Sequence, residues 1–124
     1  PLAEFGHLTY MMWRAVRLVV DTGIHAFRWT RKQAIEYFAT HAAKMPNDIE
    51  NEIDRYIAWP GQALAYMIGF LAVREERRSA EARLRERFDL RRFNNALLDL
   101  GPVPLTVLAE QMSAWEPQSR SSLP

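Results

Sequence analysis

A Pro-Gly pair at positions 60 and 61 interrupts an otherwise helical run in "DRYIAWPGQALAY", residues 54 to 66. Pro removes a backbone donor and Gly adds conformational freedom, so together they disfavour a continuous helix by several kcal/mol. The chain must therefore turn a corner here. Pro46 and the Gly-Pro-Val-Pro run at 101 to 104 set further corners, and no stretch shows the alternation of apolar and polar residues that marks a strand. The expected fold is all-α, an irregular bundle of about six helices, with a single domain over residues 1–116 and a disordered tail over 117–124 that is polar and rich in Pro and Ser.

Helix signals place the pieces. From Gly6 to about Asp21, Leu8, Met11, Met12, Ala15, Leu18 and Val19 follow helical spacing, while Tyr10, Trp13, Val16 and Val20 fill much of the remaining circumference. A helix apolar nearly all round belongs inside a core, which a small bundle provides with difficulty, so partner surface is missing. Thr30 with Gln33 matches a capping box and starts a second helix that buries Ile35, Phe38 and Ala42 before Pro46. Asn47 with Glu50 repeats the signal for a third helix carrying Ile49, Ile53, Tyr56 and Ile57. A fourth runs from about Gln62 to Phe88. Its first half, with Leu64, Met67, Ile68 and Leu71, reads as core, and its second half, with the narrow stripe Ala80, Leu84 and Phe88, as a surface helix. Asp89 caps a fifth helix that Gly101 ends, and Leu105, Leu108, Met112 and Trp115 mark a sixth.

Composition excludes several function classes. A net charge of +1 offers no global field for nucleic acid or an anionic membrane, and the longest apolar stretches fall short of a membrane span. The absence of cysteine removes disulfides, thiol nucleophiles and thiolate metal sites, and leaves cytoplasm and periplasm both open. No signal peptide is visible, and a start without Met points to a processed or excised chain. His7, His25 and His41 lie 18 and 16 residues apart, so no pair has zinc-ligand spacing. There is no Gly-rich phosphate loop and no nucleophile elbow. Arg74 to Arg92 carries eight arginines against four glutamates and one aspartate, but Arg77, Glu81 and Arg85 at four-residue spacing favour a solvated face over a nucleic-acid surface.

Two clusters could carry chemistry. In "VVDTGIH", Asp21 stands four residues before His25, where a carboxylate can hold one imidazole nitrogen and leave the other free for a ligand; a structural hydrogen bond needs the same geometry. Arg55 and Tyr56 precede the Pro-Gly corner and Gln62 follows it. A phenol and a guanidinium there could donate to an oxyanion or a carboxylate, although the stripe with Ile49 and Ile53 also fits Tyr56 to the core and Arg55 to a surface ion pair.

Taken together, "RLVVDTGIHAFRWTRKQAIEYF" at 17 to 38 and "EIDRYIAWPGQALAYMIG" at 52 to 69 resemble the C-terminal part of the bacterial family catalogued as domain of unknown function 885. The closing "FDLRRFNNALLDLGPVPLTVLAEQMSAW" looks like that family's last helices, so the resemblance extends from about residue 5 to Trp115. Full-length members look like zinc metallopeptidases of the gluzincin type, with a His-Glu-x-x-Pro-Gly-His helix and a downstream glutamate as metal ligands. Neither element occurs in this chain. The resemblance implies the C-terminal lobe of a larger helical hydrolase, with no cofactor of its own, zinc in the full-length protein and a peptide as substrate. It assigns His25 and Tyr56 to carbonyl or oxyanion contact, Asp21 to orienting His25, and Arg55 with Gln62 to substrate positioning. Such a lobe lacks the metal site and should not be catalytic alone. The competing reading is a noncatalytic interaction module. The apolar first helix would meet the missing N-terminal lobe in one case and a second copy in the other.

Overall fold

The computed structural model describes residues 2–117, and the described residues contain six α-helices, two 3-10 turns and no strand. The protein is all-α, as the periodicity requires. Contacts divide it into two compact units, Pro1–Ile68 and Gly69–Pro124. Apart from Pro117, the expected tail lies outside the described residues.

The first unit holds α1 (Leu2–His25), α2 (Arg31–His41), α3 (Pro46–Ala58), a 3-10 turn at Gln62–Leu64 and the first turn of α4 (Ala65–Leu84). Its core is Val16, Val20, Ala34, Phe38, Ile49, Ile53, Tyr56 and Ala63, drawn from each helix at spacings of three or four residues. Burying a side chain such as Phe38 or Ile53 contributes about 1.5–3 kcal/mol.

α1 is longer than expected because nothing breaks it before residue 25. It ends where the amides of Ala26 and Phe27 both donate to the Thr22 carbonyl, at 2.8 and 3.2 Å, and Arg28 takes a left-handed φ of 58°. The chain then folds back so that the Trp29 ring lies on Gly23, where an added Cβ would stand 2.5 Å from the indole. Gly23 is there for close approach.

Helix starts differ in kind. The capping box at α2 is present: the Thr30 hydroxyl accepts from the Gln33 amide at 3.3 Å, and the Gln33 side chain accepts from the Thr30 amide at 2.8 Å. At α3 the expected Asn47 cap is replaced. Met45 is the cap residue, without a side-chain hydrogen bond, and Pro46 takes the first helical position, where its missing N–H leaves no donor unpaired.

The second unit contains the rest of α4, a 3-10 turn at Arg85–Arg87, α5 (Leu90–Asp99) and α6 (Leu105–Ala114). Ala80, Leu84, Phe93, Leu108 and Met112 form its core, and Trp115 meets Phe93 edge-on with ring centres 5.8 Å apart. Asp89 caps α5 by accepting from the Arg92 amide at 2.8 Å, and Gly101 follows that helix at φ 65°. The narrow stripe of α4 is thus core, whereas Ile68 and Leu71 are exposed. Among the described residues no single helix is long and apolar enough to cross a membrane.

Candidate functional site

The Pro-Gly corner has the Gly conformation and closing bond of a type II turn. Gly61 sits at φ 80°, and the Gln62 amide donates to the Trp59 carbonyl at 3.3 Å. Buried Asp21 on α1 holds it from the other side. Its carboxylate oxygens accept from the Gly61 amide at 3.2 and 3.1 Å. Asp21 is thereby committed to the corner, and the structure records no hydrogen bond between it and His25.

His25, exposed at the end of α1, places Nε2 at 3.0 Å from the Tyr56 carbonyl. A carbonyl only accepts, so Nε2 carries the proton and Nδ1 is left as the acceptor. The imidazole is a second donor to this carbonyl, which also accepts from the Trp59 amide at 3.2 Å and so closes the end of α3.

Tyr56 itself is fully buried. Its hydroxyl donates to Glu52 Oε2 at 2.5 Å and accepts from Trp13 Nε1 at 3.3 Å, so it faces protein on both sides. Burial, reinforced by the bond to Glu52, raises the phenol pKa well above its ordinary 10.0. Glu52 is the residue that sequence reasoning missed. Burial pushes its carboxyl up, but the hydrogen bonds from Arg55 and Tyr56 outweigh this and hold it below the ordinary 4.5. Arg55 Nη2 donates to Glu52 Oε2 at 2.7 Å and Arg55 Nη1 to Gln62 Oε1 at 2.6 Å, and the guanidinium pKa rises chiefly through the bond to Glu52. A helical Glu followed by Arg and Tyr three and four residues on was the available signal.

All the candidates therefore gather at the end of α3, but they do not share one cavity. Arg55 and Gln62 line an open cleft of about 330 Å³ together with Tyr10, Trp13, Arg14, Arg17, Glu52 and Tyr66. Tyr56, His25 and Asp21 lie outside its lining. Tyr56 acts on the cleft through Glu52 and Trp13, and Asp21 through the corner that presents Gln62. On the second unit, Arg77 and Arg78 also line a cleft, but each is tied to a glutamate of its own helix, Glu81 at 2.7 Å and Glu75 at 2.9 Å. Among the described residues no group of three or more His, Cys, Asp and Glu side chains is placed to hold a metal, so zinc does not fit this chain's own residues.

Comparison with curated proteins and with solved structures found no match to this chain. A family described as bacterial protein of unknown function matches it over residues 1–112, nearly its whole length. The chain belongs to that family, DUF885.

Proposed function

We propose that the first unit is the substrate-side wall of a peptidase-like hydrolase, the chain being the C-terminal lobe of a longer helical protein and inactive by itself. The observation that supports this is the Glu52, Arg55 and Gln62 network, which fixes a guanidinium and an amide at the rim of a cleft above a buried tyrosine. Fixed donors of this kind suit peptide carbonyls and carboxylates. In this reading Arg55 and Gln62 position the substrate, and His25, whose Nε2–H is held by the Tyr56 carbonyl, offers its Nδ1 as an acceptor to a substrate N–H. Tyr56 is a positioning residue acting through Glu52, and Asp21 sets the corner. Any zinc centre belongs to residues outside these 124.

The test is peptide hydrolysis with added zinc, comparing this chain with the same chain extended at its N-terminus through the rest of its parent gene. Activity is expected only in the extended protein, with kcat/KM falling about tenfold or more for His25→Ala and for Arg55→Met. Activity of the short chain alone, or an inactive extended protein, contradicts the reading.

One observation favours a second reading, a noncatalytic interaction module. Phe5, Leu8, Met12 and Val19 of α1 are 65, 59, 51 and 40% exposed at the three-, four- and seven-residue intervals of a helix seam. In that case a second copy covers them. Sedimentation would then show a dimer that Leu8→Lys converts to a monomer.

A further inference from the structure

Arg17 carries the one buried side-chain polar atom without a hydrogen-bond partner among the described residues, its Nε. The residue is 7% exposed, and the described residues offer its guanidinium no hydrogen bond or ion pair. Its neighbours are rings. Trp13, Tyr56 and Tyr66 each lie with ring centres 5.4 to 5.6 Å from the guanidinium carbon. Cation-π contact lowers the cost of burying the charge, and the terminal guanidinium nitrogens, which are not among the buried atoms, face the cleft without a protein acceptor. A buried Nε donor without an acceptor is costly, and a charge open only to a cleft favours an acceptor there.

The cleft wall shows what is lacking. Arg14, the next guanidinium on this face of α1, stacks on the same Tyr66 ring at 5.5 Å and likewise has no carboxylate partner. The carboxylate that lines the cleft, Glu52, feels the charge of Arg17 but makes its hydrogen bonds to Arg55 and Tyr56. The cleft therefore carries excess positive charge, with aromatic surface from Trp13 and Tyr66 beside it.

We propose that Arg17, assisted by Arg14, is the receptor for a carboxylate borne next to an aromatic or bulky apolar group, such as the C-terminal residue of a peptide. The terminal nitrogens donate to the two carboxylate oxygens, and the rings flank the neighbouring group. The proposal deepens the substrate-wall reading by naming the end of the substrate that docks here. Its test needs no catalysis, so the two can fail separately.

The probe is N-acetyl-L-phenylalanine, titrated onto this chain while the indole N–H resonance of Trp13 is followed by NMR. Binding is expected to weaken about tenfold or more for N-acetyl-L-phenylalaninamide, which has the same shape without the charge, and for acetate, which has the charge without the ring. Arg17→Met should abolish the carboxylate preference and Arg17→Lys should restore part of it. If Arg17→Met does not fold, the acid, amide and acetate comparison on the unsubstituted chain decides alone. Equal binding of acid and amide, no binding of either, or an acid preference that survives Arg17→Met would each overturn the proposal.

Discussion

Asp21 and His25 are neighbours on one helix turn, yet each finds its partner far along the chain, Asp21 at a separation of 40 residues and His25 at 31. Spacing reveals which side chains can meet but not which acceptor wins. The amide at a tight corner needs an acceptor, the Tyr56 carbonyl has a lone pair to offer beside the one that takes the Trp59 amide, and the fold brings both to α1. Asp21→Ala should lower stability by about 2 kcal/mol in urea titration, since it strips a charged acceptor from the Gly61 amide. Gly23→Ala should also destabilise, because the Trp29 ring must leave its seat, and Trp29 fluorescence should report the shift. The Glu52 and Tyr56 pair predicts the pH response. A carboxyl with a lowered pKa stabilises the fold above its ordinary 4.5 and loses that contribution as pH falls below it. A phenol with a raised pKa stabilises below its ordinary 10.0 and loses that contribution as pH climbs beyond it. Glu52→Gln should therefore flatten the acid limb of a stability profile, and an unchanged limb would remove Glu52 from the account.

At the level of the helices, legibility followed the locality of the signal. Thr30 with Gln33 and Asp89 with the Arg92 amide act within one turn, so sequence alone placed both caps. Thr30→Ala should cost about 1 kcal/mol by thermal melting. The start of α3 lies two residues before the cap that Asn47 offers, because Pro46 fits the first helical position and needs no side-chain cap there. Helix α4 was the harder case. Its arginine-rich half reads as a surface helix with the narrow stripe Ala80, Leu84 and Phe88, yet Ala80 and Leu84 are only 1 and 2% exposed. Small and branched residues one turn apart suffice for a core when Phe93, Leu108 and Met112 come to meet them. Arg83 strengthens that packing by donating to the Trp115 carbonyl at 2.8 Å and to Glu116 Oε1 at 2.8 Å. No pattern local to α4 could announce a partner that lies 32 residues away. The solvated reading of this face holds where pairs are local, at Arg77 with Glu81.

For the whole molecule, the all-α class was legible because periodicity and corner residues agree along the chain. The site was legible only in outline. The candidates were drawn to the end of α3, but the positive cleft escaped notice because Arg14 and Arg17 sit in a segment whose apolar neighbours dominate the pattern. That same segment explains the apolar first helix in part: Val16 and Val20 enter the core, and Trp13 lines the cleft. Phe5, Leu8 and Met12 are left exposed. The central claim is that the Arg55 and Gln62 rim serves binding rather than packing. The most direct measurement is the affinity of the tripeptide Ala-Ala-Phe for this chain and for its Arg55→Met variant, with thermal stability recorded on the same samples. The account predicts binding at least about tenfold weaker in the variant, with its melting temperature lowered by only a few degrees. Unchanged affinity alongside a large loss of stability would show that the network only holds α3 to its corner.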